Sequence, residues 1–342
     1  MKIILDAMGG DLAPEAPVMG AIDAAKAYGA QIVLVGRGNE ILEVLKKNGI
    51  DDLPENIEIA HADDVVDMHD DPAKIHHQRK NSSMVIGLKM LAEGRGDAFV
   101  SAGSTGALLT GATLIVKRVK GIRRAAMAPS MPTKTGGRAI ICDCGANAEC
   151  TPEFLLQFGL VGSAYAKNVY GVENPRIGLL NIGTEDSKGT QLQKDAYALL
   201  TEAKEKGLLN FVGNVEARAV PLGEVDVVVC DGFSGNVLIK SIEGTAIFMG
   251  SLLKRMFKKN LGSKLGYLLC KSGVNDMMKL MDSREIGGTQ FLGIKKPVIK
   301  CHGNSDRLAF RNGVKQAMVA AESNFTEQLE KDLAAMKERA EQ

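Results

Sequence analysis

Short apolar, β-rich runs alternate with longer amphipathic stretches along this chain. Between most of the runs lies a stretch long enough for a crossover helix, for example at 14–28, 40–48 and 82–93. Alternation of this kind is typical of βαβ units, whose right-handed crossovers place helices on both faces of a parallel sheet. The pattern predicts strands at 2–5, 31–35, 57–60, 98–100, 139–141, 177–180, 211–212, 225–229 and 298–300.

The whole chain, residues 1–342, is therefore predicted to form one α/β domain with a doubly wound, mostly parallel sheet in three αβα layers. Two segments differ from the rest. A methionine-rich, basic stretch at about 242–282 predicts a protruding helical hairpin, and a charged stretch at about 314–342 predicts a C-terminal helix.

Polar clusters centred on glycine follow many of the predicted strands. Loops at the carboxyl ends of parallel strands line one crevice, so these dispersed clusters are expected to converge on a single pocket. Glycine permits close backbone approach, while hydroxyl, amide and backbone N–H groups at helix starts bind anions. The clusters, which predict a phosphate-handling site, begin at Asp6, Ser101, Asp143, Asn181, Asp231 and His302.

Composition narrows the class of protein. With 45% apolar and 24% charged residues the chain is expected to bury a large core, and a net charge of +1 with no tryptophan gives no support for a nucleic-acid partner. The six cysteines contain no C-x-x-C pair, which favours reduced thiols in a cytosolic protein. The sequence predicts neither a signal peptide nor a transmembrane helix, and therefore a cytoplasmic protein, soluble or peripheral to a membrane.

Standard cofactor and metal motifs are incomplete. The chain has no P-loop, and Gly36 and Gly38 begin a dinucleotide fingerprint whose third glycine position holds Ile41. The spacing of His69, His76 and His77 matches no common zinc pattern, which favours a polar loop. No cofactor and no metal are predicted.

In chain order, the polar clusters resemble one known family. The resemblance rests on 6–11, 82–84, 101–108, 145–147, 180–183, 188–189, 231–237 and 302–303, and so runs over nearly the whole chain. These segments are similar to those of the bacterial phosphate acyltransferases of phospholipid synthesis (PlsX type).

The resemblance implies transfer of a fatty acyl group from acyl carrier protein to inorganic phosphate, a fold similar to phosphotransacetylases and isocitrate-dehydrogenase-like enzymes, and a homodimer. It also implies work near the membrane, with a membrane glycerol-3-phosphate acyltransferase as a further partner. Two other classes stay open on the residues alone: a nicotinamide-dependent dehydrogenase of similar fold, and a non-catalytic membrane or carrier-protein scaffold.

For acyl transfer to phosphate, a clamp on the dianion and donors for the oxyanion are needed, and no covalent nucleophile. Lys188 is the candidate cation and Asn236 the candidate donor, although Asn236 could instead cap a helix starting near Val237. Asp231 could hold its turn, and His302 could be structural. The predicted substrate-binding residues are Gly9, Gly10, Asp11, Ser101, Gly103, Ser104, Thr105, Gly106, Asn147, Asp231, Gly235, His302 and Gly303.

Two basic segments suggest contacts with partners. Lys117–Arg124 is either a solvated face or a surface that steers an acidic carrier protein. The predicted hairpin carries an apolar stripe at helical spacing, which indicates either a core or dimer interface or a surface for anionic membrane. Its predicted contact residues are Leu253, Lys254, Arg255, Met256, Phe257 and Lys258.

Overall fold

A computed structural model describes residues 1–67 and 69–340, with the side chains of all of these except Ser283 and 335–340. The described strands are β1 (Lys2–Asp6), β2 (Gln31–Gly36), β3 (Ile57–His61), β4 (Ala98–Ser101), β5 (Ala126–Met127), β6 (Ser130–Pro132), β7 (Arg138–Cys142), β8 (Arg176–Leu180), β9 (Asn210–Val215), β10 (Val227–Val229), β11 (Thr289–Leu292) and β12 (Val298–Lys300).

Helices occupy most of the connections between these strands. They are α1 (Glu15–Tyr28), α2 (Gly38–Lys47), α3 (Ile75–Gln78), α4 (Ser83–Ala92), α5 (Thr105–Gly111, continued by a π-helical turn at Ala112–Val116), α6 (Pro152–Tyr170), α7 (Gln191–Glu205), α8 (Ala219–Leu222), α9 (Gly232–Lys258), α10 (Leu261–Leu280), α11 (Ser283–Ile286), α12 (Arg307–Glu322) and α13 (Phe325–Ala340).

The strands divide between two sheets. The first has the order β3-β2-β1-β4-β12-β11-β5, and the second has the order β6-β7-β10-β8-β9. Most neighbours are parallel, while β11 runs antiparallel to β12 and β5, and β6 runs antiparallel to β7. The predicted α/β class and mostly parallel arrangement are confirmed, but the prediction of a single sheet is wrong.

Both sheets are covered on both faces. In β1, Ile3 and Leu5 join one buried cluster while Ile4 joins the cluster on the opposite face. In β10, Val227 and Val229 likewise lie in one buried cluster, and Val228 lies in the cluster on the opposite face. Successive side chains of a strand point to opposite faces, so this burial pattern places helices on each side of each sheet, as in a layered αβα arrangement.

Apolar contacts and hydrogen bonds connect the two sheets. Leu292 of β11, in the first sheet, lies in the same buried cluster as Leu155 of α6, which covers the second sheet. The N–H of Met127 in β5 donates to Asp143 Oδ1 after β7, at 2.8 Å. The carboxyl ends of both sets of strands therefore meet around these loops.

A helical hairpin projects from the second sheet, as predicted, but its first helix begins earlier than 242. Helix α9 starts at Gly232, and Asn260 Oδ1 caps α10 by accepting a hydrogen bond from the N–H of Ser263 at 2.8 Å. The rings of Phe257 and Tyr267 lie 5.2 Å apart, so the two helices pack against each other beside the turn.

No transmembrane helix is predicted from the sequence; among the described residues one helix, α9, is long and apolar enough to cross a membrane by length and composition alone. An 18-residue window of α9 reaches a mean hydropathy of 1.2, with 6% of it buried. The start of α9 is nevertheless fixed to the globular body, because Gly235 packs directly on the backbone oxygen of Asp143.

The single C-terminal helix predicted at 314–342 is also wrong, since α12 and α13 are separate. Asn324 between them adopts φ 49°, a left-handed conformation that asparagine tolerates better than most residues. The break turns the chain so that Phe325 is buried against Tyr165, with ring centroids 5.4 Å apart. The predicted end of the helix at 341–342 lies outside the described residues.

Candidate functional site

The loops after β1 and β4 are joined by a buried carboxyl group. Asp6 accepts a hydrogen bond from the Ser101 hydroxyl at 2.7 Å and another from the N–H of Met8 at 3.1 Å. Burial raises the pKa of Asp6, while these hydrogen bonds oppose the rise. A Cβ at Gly9 would lie 2.5 Å from Asp6 Oδ2, so only glycine fits where these loops meet.

A cavity of about 320 Å³ lies at the carboxyl ends of β1, β4 and β12. The loops after β1 and β12 are held together there, because the N–H of Asp11 donates to the carbonyl of Gly303 at 2.7 Å. Gly10 in this loop has φ 107°, and a Cβ there would lie 3.1 Å from the same carbonyl. The cavity thus brings together most of the first predicted clusters, through Gly10, Asp11, Gly103, Ser104, Thr105 and Gly303.

Lys300 also lines this cavity and was not among the residues predicted from the sequence. The ammonium group donates to the carbonyls of Ala102, at 3.4 Å, and Cys301. Burial lowers the pKa of Lys300, and the nearby Asp11 carboxylate opposes this effect. The available signal was a lysine at the end of the apolar strand β12, two residues before the predicted His302-Gly303 cluster.

This cavity has the chemistry of an anion site. It combines the Lys300 ammonium group with the hydroxyl-bearing residues Ser104 and Thr105 at the start of α5. A partly buried cation and hydrogen-bond donors from short polar loops are suited to hold a phosphate group. Asp11 and Asp67 also line the cavity, so their carboxylates oppose the charge of Lys300, and anion binding here depends on the hydrogen-bond donors of the loops as well as on the ammonium group.

A second cluster is built around Asp143, in the loop after β7. Its carboxylate accepts hydrogen bonds from the backbone N–H groups of Cys144 and Asn147, each at 2.6 Å, and from Asn147 Nδ2 at 3.0 Å. Burial raises the pKa of Asp143, and the hydrogen bonds oppose that rise. Close approach of α9 completes the cluster, because Gly232 and Gly235 have no room for a Cβ beside this loop.

The N-cap of α9 is Asp231 rather than Asn236. Asp231 Oδ1 accepts from the N–H of Ser234 at 2.8 Å, and Oδ2 accepts from the Ser234 hydroxyl at 2.8 Å. The alternative of a helix starting near Val237 is therefore wrong, and the turn-holding interpretation of Asp231 is confirmed. Asn236 is exposed on the second turn, where its side chain lies near Gly145.

Lys188 lies in the exposed loop after β8. Its backbone is fixed, since its N–H donates to the carbonyl of Glu185 at 3.2 Å and its own carbonyl accepts from Asn181 Nδ2 at 3.1 Å. Strand β8 neighbours β10 in the second sheet, so this loop lies on the same sheet edge as Asp231. Lys188 follows a strand of the second sheet, whereas Lys300 is the last residue of a strand of the first sheet.

His302 faces a larger cavity of about 620 Å³ at the base of the hairpin. Lys240 and Glu243 of α9 line the same cavity, and His302 Nε2 lies 3.9 Å from Glu243 Oε1. Partial burial and the positive charges of Lys240 and Lys300 lower the pKa of His302, while Glu243 opposes the decrease. His302 thus links the hairpin to the loop that carries Gly303.

The cysteines near the second cluster are poorly suited to act as nucleophiles, because the thiolate is the reactive form. Burial raises the pKa of Cys144 and of Cys150 to about 12, and it also raises the pKa of Cys142 and of Cys230 well above the ordinary thiol value. Within residues 1–67 and 69–340, no group of three or more metal-ligating side chains is assembled.

The hairpin residues predicted to contact membrane or a partner differ in exposure. Lys254, Arg255, Met256 and Lys258 are exposed, whereas Leu253 and Phe257 are only half-exposed. The predicted apolar stripe is therefore partly covered and partly exposed, and both interpretations of it stay predictions. Apolar side chains that are well exposed on the hairpin include Ile247, Phe248, Leu261, Leu265, Leu268 and Leu269.

Comparisons with known proteins agree with this geometry. A family model described as "Fatty acid synthesis protein" matches residues 1–328. The phosphate acyltransferase of Alkaliphilus oremlandii is 45% identical over 98% of this chain and 98% of its own length. That of Acetivibrio thermocellus is 44% identical over 98% and 97%.

The fold has relatives among solved structures. A phosphotransacetylase from Streptococcus pyogenes superposes with a TM-score of 0.60, covering 96% of this chain and 94% of that one, at 20% identity. This likeness shows a shared fold. The sequence identity to each of the two phosphate acyltransferases extends over nearly the full length of both aligned chains. The chain therefore belongs to the phosphate acyltransferase family.

Proposed function

We propose that this enzyme transfers a fatty acyl group from acyl carrier protein to inorganic phosphate, releasing acyl-phosphate and free carrier protein for phospholipid synthesis. The observation that supports this most directly is the cavity lined by Lys300, Ser104 and Thr105 at the strand ends. Family membership favours this reaction over the nicotinamide-dependent dehydrogenase and the non-catalytic scaffold.

The reaction requires few side chains to carry protons. A phosphate oxygen attacks the thioester carbonyl, the C–S bond breaks, and the electron pair leaves with a thiol whose pKa is near 8.5, so little acid assistance is needed. Holding the dianion against the carbonyl and stabilising the oxyanion provide most of the acceleration. The buried thiols near Asp143 are consistent with direct attack rather than a covalent intermediate on cysteine.

We assign the acceptor phosphate to the cavity beside Lys300. Lys188 and Asn236 stay our candidates for groups that reach the reacting atoms from the second sheet, where both lie on loops or helix turns next to strand ends. Both side chains are exposed, so each is free to turn toward a bound donor.

The enzyme is proposed to work in the cytoplasm as a homodimer, bound peripherally to anionic membrane. The exposed leucines and lysines of the hairpin support this placement. Acyl-phosphate is reactive and apolar at one end, so a membrane glycerol-3-phosphate acyltransferase is the proposed consumer. No nucleic acid partner, cofactor or metal forms part of the proposal.

Release of carrier-protein thiol from acyl carrier protein tests the function directly. Wild type is expected to release the thiol only when phosphate is present, and to form one acyl-phosphate per thiol. Lys188→Ala and Asn236→Ala are expected to lower turnover about a hundredfold, the usual cost of one preorganised donor. Phosphate-independent release would instead show a thioesterase, and normal turnover of a folded variant would exclude that residue from the mechanism.

A further inference from the structure

A separate cavity of about 370 Å³ lies between the two polar clusters. Its lining includes Gly106, in the first turn of α5, and Asn147, which donates to the carboxylate of Asp143 at 3.0 Å. Gly106 directly follows Thr105, which lines the proposed phosphate cavity. The first turn of α5 therefore has the acceptor cavity on one side and this second cavity on the other.

Two arginines of the basic segment Lys117–Arg124 line this second cavity: Arg118 and Arg124. Among the ion pairs of the described residues, neither guanidinium has a carboxylate partner. Arg118 donates to the carbonyl of Arg123, and Arg124 lies over the ring of Phe154 at 5.7 Å. These contacts orient both side chains and leave both charges available to an anion.

The rest of the lining is apolar or hydroxyl-bearing. Leu109, Leu114 and Pro72 contribute apolar surface, and Thr110 and Thr113 contribute hydroxyl groups. A lining of this kind suits a flexible chain of alternating methylene and amide groups that ends in a phosphate. Arginine favours such a phosphate because its planar fork binds two oxygens at once.

We infer that this cavity binds the phosphopantetheine arm of the thioester donor, with its phosphodiester at Arg118 and Arg124. The inference rests on the proposed function, because that function supplies the thioester donor. With the arm placed here, the thioester lies near Gly106 and Asn147, and the acceptor phosphate approaches from the other side of the α5 turn. The basic segment Lys117–Arg124 then binds one defined phosphate group of the donor, rather than attracting the carrier protein only by its overall charge.

Calorimetric binding of 4′-phosphopantetheine and of pantetheine, which lacks the phosphate, tests the inference without catalysis. Wild type should bind phosphopantetheine at least tenfold more tightly than pantetheine. The double variant Arg118→Ala with Arg124→Ala should lose that difference, and Arg118→Lys with Arg124→Lys should keep part of it, because lysine retains the charge without the fork. Lys120→Ala, in the same basic run but outside the cavity lining, should behave as wild type.

Steady-state kinetics then show whether Arg118 and Arg124 bind the phosphate of the donor's phosphopantetheine arm or the inorganic phosphate that accepts the acyl group. With acyl-phosphopantetheine as donor, the alanine double variant should show a KM raised about tenfold, with an unchanged KM for inorganic phosphate and an unchanged KM for acyl-pantetheine. A raised KM for inorganic phosphate would move the acceptor into this cavity and overturn the inference. Equal losses with both donors, or an equal effect of Lys120→Ala, would also overturn it. Absence of phosphate-dependent turnover in wild type would refute the proposed function and leave the calorimetric result to stand alone.

Discussion

At the scale of single residues, the partly buried cation Lys300 is the strongest test of the phosphate cavity. Lys300→Met keeps much of the side-chain length and removes the charge, so kcat/KM for phosphate is expected to fall about a hundredfold. Steady-state kinetics at varied phosphate concentration measure the change. The matched control is Lys296→Met, a half-buried lysine that donates to the carbonyl of Leu91 at 2.9 Å outside this cavity. Equal losses in both variants would argue for a structural role of Lys300.

His302 provides a prediction with a defined dependence on pH. Its folded pKa lies below 6.5, so in the interval between that pKa and 6.5 the unfolded chain binds a proton that the folded chain lacks. The stability that His302 contributes is complete above pH 6.5 and is lost as the pH falls through the folded pKa. Wild type should therefore lose stability relative to His302→Gln between pH 7.5 and 5, as measured by denaturant unfolding.

Neighbouring charges set the size of this effect on His302. Because Glu243 raises the pKa of His302 and Lys240 lowers it, Glu243→Gln should enlarge the loss of stability at low pH and Lys240→Met should reduce it. Lys300 also lowers the pKa of His302 and stays unchanged in both variants. A reversed order of the two variants would contradict the assignment of these contacts.

Sequence reasoning located loops better than it located individual side chains. Glycines such as Gly9 and Gly235 were identifiable because each lies in a short polar cluster after a predicted strand. The structure shows why glycine is needed there: neither position has room for a Cβ. Lys300 was missed because it ends a buried strand, where a lysine resembles an ordinary strand terminus. Which of Asp231 and Asn236 caps α9 depends on where the helix starts, and the apolar pattern does not fix that to within one turn.

At the scale of elements, the start of α9 depends on close contact with the Asp143 loop. A Cβ at Gly235 would lie 2.0 Å from the Asp143 carbonyl oxygen, so Gly235→Ala should destabilise the protein by about 3 kcal/mol through overpacking. Gly244 lies in the same helix with nothing within 4 Å of its Cβ position. Gly244→Ala should instead stabilise by about 0.5–1 kcal/mol, because alanine is the better helix former. Thermal and denaturant unfolding distinguish the two, and similar values for both variants would contradict the close contact.

The elements predicted with the right type are those with a long or strongly periodic apolar pattern. Strands β1 and β2 and the helices of the hairpin belong to this group. Strands β5, β6 and β11 were missed because they span only two to four residues and pair antiparallel at or near sheet edges, where no crossover helix marks them. Division into two sheets depends on long-range pairing, which local periodicity does not encode.

At the scale of the whole molecule, the loops of the two sheets meet at the proposed site. The first sheet supplies the cavity with Lys300, and the second supplies the Asp143 cluster, which hydrogen bonds to β5 through Met127. Asn147 strengthens the connection by donating to the carbonyl of Ala125 at 2.9 Å. The single domain predicted from the sequence stays a prediction, but these bonds give a physical reason for the two sheets to hold a fixed relation at the proposed site.

The hairpin is the part of the molecule whose surface least resembles that of an isolated globular protein. Leu268 and Leu269 are 65% and 85% exposed, and residues 250–282 carry seven Lys or Arg against two Asp. An exposed apolar face next to a basic one suits anionic membrane, where apolar burial and attraction to lipid headgroups add together. Phe257, which packs on Tyr267, is a poorer site for testing this because its replacement would disturb the hairpin itself.

Leu268→Glu with Leu269→Glu should therefore abolish sedimentation with vesicles containing phosphatidylglycerol, while turnover with soluble acyl carrier protein is unchanged. Binding of wild type should weaken at high salt and disappear with phosphatidylcholine alone, since the basic residues need anionic headgroups. Leu42→Glu with Leu222→Glu makes the same chemical change at exposed leucines on α2 and α8, and should leave sedimentation intact. The opposite result would be that wild type does not sediment with anionic vesicles and that the hairpin variant loses the dimer. That result would show that a second copy of the chain covers these leucines instead.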